Sequence, residues 1–131
     1  MPSVMIMSKA YIKVAGILNL FTATVHLVAG QMDLVDPLII SNLEIQQKAE
    51  WIGVWHIVTI FLFYTSYLIL KVGFTKAEKP NFQQLKPLGI LYMLIGIPFI
   101  ISSFYYFVFA PQWVLLIPVG VLLLFGTRKS D

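Results

Sequence analysis

Residues 51–70 read WIGVWHIVTIFLFYTSYLIL, and the reading of this stretch decides the fold. No Asp, Glu, Lys or Arg interrupts it. A helix needs about 20 apolar residues to cross roughly 30 Å of hydrocarbon. A helix in a soluble bundle needs a polar face for water, and from Val54 to Leu70 none is wide enough. Three further stretches free of those four residue types follow the same pattern, at 14–29, 87–109 and 112–127. The 112–127 run is short and would stand nearly upright. The pattern predicts one all-α domain over residues 1–131, a polytopic membrane protein built as an antiparallel four-transmembrane-helix bundle.

Composition points the same way. Hydrophobic residues make up 59% of the chain and the mean hydropathy is +0.85, above the range of soluble domains. The net charge of +3 is not a nucleic-acid signal, because its excess sits at the ends of the apolar runs. The absence of cysteine excludes disulfides, thiolate metal sites and iron–sulfur clusters.

Charge orients the bundle. Eight of the 9 basic residues fall on one side: Lys9 and Lys13 before the first span, Lys71, Lys76, Lys79 and Lys86 between the second and third, Arg128 and Lys129 after the fourth. The 31–50 loop carries Lys48 against Asp33, Asp36, Glu44 and Glu50. Basic loops stay inside, so the reading places the chain in the cell membrane with both termini cytoplasmic and 31–50 external. Trp51, Trp55 and Trp113 then all lie at the outer boundary, where aromatic belts form. The first span follows two lysines, as a signal peptide does. Asn19 and His26 within it, and the lack of a small-x-small site before Gln31, argue for a retained helix.

Local signals fill in the connections. Residues 1–10 read as an irregular apolar leader at the inner interface. Asp36-Pro37 is a helix-start pair, and Ser41-Asn42-Leu43-Glu44 fits a capping box, with Glu44 and Lys48 spaced for a surface pair. This external helical loop is expected to lead, from near Asn42, straight into the second span. Lys79-Pro80-Asn81 marks an inner turn, and Pro98 and Pro118 fall inside spans.

At about 100° per residue, Ala15, Asn19, Thr22, Ala23, His26 and Gly30 share one face of the first helix. Around His56, the second helix offers Ala49, Ile52, Gly53, Thr59, Phe63 and Tyr67. The third offers Gly89, Tyr92, Gly96, Phe99, Ser103 and Tyr106, whereas the fourth is a packing helix with no polar side chain from Val114 to Gly126. His26 and His56 lie at roughly 6 and 7.5 Å below the outer boundary, on sequential helices. The expected ligand site is therefore in the outer leaflet: His26, His56 and Tyr106, with Ser103 beside them and Asn19 deeper.

Three readings of that seam compete. Small and polar residues are the ordinary glue of membrane helices. Intramembrane ionisable groups are rare enough to suggest function, here a lipid, quinone or small amphiphile held by His, Tyr and Asn. The alternative is a single metal ion or haem on His26 and His56, in a membrane redox protein or metal-assisted enzyme. No nucleophile–base pair, HExxH motif or phosphate loop is found, so a binding or accessory module is expected in preference to an enzyme. Its partners would be membrane lipids and a second copy of itself in a homodimer, or a larger membrane complex.

The size resembles that of small multidrug transporters. That family depends on a glutamate in its first span, and Gly16 to Gly30 holds no acid. The four-span plan is similar in outline to DoxX-like membrane proteins, a likeness of architecture that carries no function with it.

Overall fold

The structure, a computed structural model, describes residues 2–77 and 80–128, with side chains from residue 5 onward. Lys79 and Lys129, two of the basic residues assigned to the inner side, lie outside the described residues. All regular structure among the described residues is helical: α1 (Pro2–Gly30), α2 (Asp36–Ile40), α3 (Ile45–Gly73), α4 (Lys86–Tyr106) and α5 (Gln112–Gly126). Three helical stretches, Met5–Ile40, Ile45–Gly73 and Phe82–Tyr106, are long and apolar enough to cross a membrane. Gln112–Gly126 is as apolar but shorter.

α1 is the central helix, packed on α3 along one side and on α5 along the other, and α5 in turn carries α4. It begins well before the first apolar span. The stretch expected as an irregular leader forms its opening turns, because Ser8 and Ile12 have somewhere to pack. Both lie against Gly126 of α5, where a β-carbon would come within 2.5 Å of the Ile12 side chain and 3.2 Å of the Ser8 carbonyl oxygen. Lys9 Nζ donates to the Thr75 carbonyl at 2.7 Å, tying the same end to the chain leaving α3.

α1 and α3 run antiparallel in a register that sets Lys13 beside Gly73, Gly16 beside Ile69 and Leu70, Asn19 beside Ser66, and His26 beside Trp55. α4 and α5 meet through glycines. A β-carbon on Gly120 would lie 2.9 Å from the Gly89 carbonyl oxygen, so this crossing admits only hydrogen.

The far end of α1 continues through a π turn, Gln31–Val35, into α2. Pro37 has no N–H for the Asp33 carbonyl and crowds it, and the wider turn absorbs that mismatch. The Asp36 N–H bonds back to the Gln31 carbonyl, and Gln31 Nε2 donates to Asp36 Oδ1 at 2.8 Å. α2 does begin at Asp36 with Pro37 in its first turn, but Asp36 is not its cap, because the chain enters it already helical from the π turn.

The expected capping box does not form. α3 starts at Ile45, and Glu44 makes no side-chain cap. Ser41 turns back instead, its hydroxyl donating to the Leu38 carbonyl at 2.6 Å. Lys48 likewise donates to the Ile39 carbonyl at 2.8 Å, across the loop and away from Glu44. From Ile45 the helix does run unbroken to Gly73.

α4 stops three residues short of the expected span end. Phe107 is left-handed, with φ 54°, and caps the helix through its N–H to the Ser103 carbonyl. Val108 N–H reaches the same carbonyl at 3.1 Å, and Ala110 N–H reaches the Ser103 hydroxyl at 3.1 Å.

Candidate functional site

About a third of the way in from the end where α3 stops and α4 starts, four side chains converge that are polar in a largely apolar interior. Asn19 of α1 and Tyr92 of α4 are both fully buried, and Thr65 and Ser66 of α3 nearly so. Asn19 Nδ2 faces Ser66 Oγ at 2.9 Å, Thr65 Oγ1 at 3.0 Å and the Leu62 carbonyl at 3.2 Å. The Tyr92 hydroxyl lies 2.6 Å from Thr65 Oγ1.

The donors sort themselves out. Thr65 and Ser66 give their hydrogens to helix carbonyls one turn back, Phe61 at 2.8 Å and Leu62 at 2.7 Å. Both oxygens are then acceptors, and Thr65 receives from Asn19 on one side and from Tyr92 on the other. One hydroxyl on α3 holds α1 and α4 together. Asn19 Oδ1 is enclosed with no hydrogen-bond partner among the described residues.

A second polar contact lies toward the acidic-loop end. The His26 ring stacks on the Trp55 indole, with centroids 3.8 Å apart and planes 12° from parallel. His26 Nε2 is 3.3 Å from the Trp55 carbonyl oxygen. A carbonyl only accepts, so Nε2 carries the hydrogen. The same carbonyl accepts from Thr59 Oγ1 at 3.1 Å. Gly30, one turn beyond His26, leaves the indole the space a β-carbon would fill. Trp55 Nε1 is enclosed without an acceptor among the described residues.

The five residues expected at one site are dispersed. Asn19 belongs to the cluster with Thr65, Ser66 and Tyr92, and His26 to the Trp55 stack. His56 is exposed, because the residue before it is the one α3 turns toward α1. Tyr106 is 68% exposed and edge-on to Tyr105. Ser103 closes the end of α4, its hydroxyl donating to the Phe99 carbonyl and accepting from Ala110. His26 and His56 remain the only imidazoles, and no cluster of three or more His, Asp or Glu that could hold a metal occurs among the described residues.

The seam read for α1 matches its buried face, but the one read for α3 lies roughly a third of a turn from the true one. Leu62, Thr65, Ser66, Ile69 and Gly73 are buried with Thr59, whereas Gly53, His56 and Tyr67 are exposed. Thr65 and Ser66 were the missed residues. Their signal was two adjacent hydroxyls about five residues in from the inner end of the span, at the depth of Asn19. No protein-family model, curated protein or solved structure matches this chain.

Proposed function

We propose that this chain is a multi-pass membrane protein of four antiparallel helices, with both termini cytoplasmic, acting as a binding or accessory module and not as an enzyme. The observation that carries the membrane reading is its inverted polarity. Asn19, Thr65 and Ser66 are buried, while Ile17, Ile60, Leu94 and Ile101 are 56–69% exposed on three different helices. Lipid accepts such a surface, and water does not.

The contact point we assign is the His26–Trp55 stack in the outer leaflet. The enclosed Trp55 N–H has no acceptor among the described residues and, once the stack opens, would donate to an oxygen acceptor on a lipid, quinone or similar amphiphile. Exposed His56 and Tyr106 would meet its headgroup at the interface. A metal or haem between the two histidines gains no support from a His26 ring already covered by indole. Self-association, a homodimer in the first instance, would use exposed apolar faces, since one chain encloses its own polar seam.

Two measurements test the reading. Cysteines placed by Asn42→Cys and Gln83→Cys should label with an impermeant maleimide from opposite sides of the membrane. Labelling of both from outside intact cells overturns the topology. Lipid extracts of purified wild type and His26→Ala should differ in one retained amphiphile, and identical extracts overturn the assigned contact.

A further inference from the structure

We infer that the chain holds one anionic phospholipid at its inner end, in a cleft between α5 and the start of α4. This rests on the membrane reading and names a ligand for a different site. The cleft measures about 660 Å³ and is lined by Gln83, Lys86, Val121, Leu124, Phe125, Thr127 and Arg128. That volume is in the range of pockets that enclose small ligands.

Its two ends differ in chemistry. The rim carries two cations, Lys86 at the first residue of α4 and Arg128 just beyond α5, and no lining residue among the described residues is acidic. Gln83 Nε2 donates to the Thr127 carbonyl, joining the two sides of the cleft beneath them. The wall below is Val121, Leu124 and Phe125. From Arg128 to Val121 the helix descends about 10 Å, so the apolar wall reaches well into the depth of acyl chains. A cationic rim above an apolar wall matches a phosphate headgroup with its chains attached. Free phosphate would use only the rim.

Three other inner lysines are engaged with the protein itself. Lys9 bonds the Thr75 carbonyl, Lys13 lies 4.7 Å over the Phe74 ring, and Lys71 lies 5.7 Å over Tyr67. Lys86 and Arg128 are the pair that lines this cleft. On the side where positive loops stay, the leaflet supplies anionic lipid, and each basic residue near it contributes about 1 kcal/mol.

The test uses the full chain reconstituted in phosphatidylcholine vesicles with and without phosphatidylglycerol, followed by native mass spectrometry. Wild type should retain one phosphatidylglycerol in preference to phosphatidylcholine. The double variant K86Q/R128Q should lose that preference by roughly 10- to 30-fold, two contacts at about 1 kcal/mol each. K71Q/K76Q should keep it, and millimolar inorganic phosphate should not displace the lipid. Equal retention in wild type and K86Q/R128Q overturns the site, as does an equal loss in K71Q/K76Q. Displacement by phosphate reassigns the rim to a free anion and also overturns the proposal. Vesicle flotation is measured alongside. A chain that floats but shows no lipid preference refutes the cleft alone, and one that does not float refutes the membrane reading too.

Discussion

Thr65 on α3 and Tyr92 on α4 share a hydrogen bond of 2.6 Å, the only side-chain hydrogen bond between those two helices among the described residues. Tyr92→Phe removes it without orphaning Thr65, which still accepts from Asn19 and donates to Phe61. The loss of stability should therefore be small, about 0.6–1.5 kcal/mol, as unfolding in mild detergent would show. Asn19→Ala strips Thr65 and Ser66 of a shared donor and leaves a cavity at a fully buried position. Its loss should be larger, roughly 2–3 kcal/mol.

The two histidines should behave unequally. His26→Ala removes the stack and the bond to Trp55, for an expected loss of about 1–2 kcal/mol and a change in tryptophan emission. His56 is exposed, so His56→Ala should stay within about 0.5 kcal/mol of wild type and leave the emission unchanged. Equal losses in the two single variants, matched by the double, would show instead that the histidines depend on each other.

Glycine positions offer a paired comparison. At Gly120 a methyl group meets the Gly89 carbonyl, which moves only if α4 and α5 separate. Gly120→Ala should destabilise by about 1–3 kcal/mol. Gly53 has open space around it, so Gly53→Ala should be neutral or stabilise α3 by up to about 1 kcal/mol. Thermal unfolding of the two variants in one detergent gives the sign of each.

Ser103→Ala should act locally. It removes the acceptor for the Ala110 N–H but keeps the Ser103 carbonyl that caps α4. An expected loss of about 0.5–1.5 kcal/mol should be accompanied by faster amide exchange at Ala110 and Val108, with α1 and α3 unaffected.

Helix positions were legible because they rest on charge, and the charge-free runs are long. Helix rotation was only partly legible. On α1 the polar residues Asn19, Thr22 and His26 mark one face, and that face is turned inward. On α3, centring the face on His56 misled, because Thr65 and Ser66 are the residues that answer Asn19. Residues turned outward are as apolar as residues turned inward, so Ile60 and Leu62 cannot be told apart by hydropathy although one is 69% and the other 2% exposed. The Ser41 bond to the Leu38 carbonyl and the stack at Trp55 depend on loop closure and on which of two neighbouring aromatics faces α1. Neither is written in residue spacing.

The order in which helices touch along α1 bears on how the chain is assembled as it is made. α1 and α3 form one hairpin, α4 and α5 another, and they join mainly where α1 meets α5. The first hairpin carries its own polar latch, since Asn19, Thr65 and Ser66 all come from it. It can therefore close while the rest of the chain is still being synthesised. An acceptor site that it leaves waiting, on Thr65, is filled when Tyr92 arrives with the second hairpin. A chain severed between residues 74 and 81 would still contain two complete hairpins, each able to recognise the other when both are produced together.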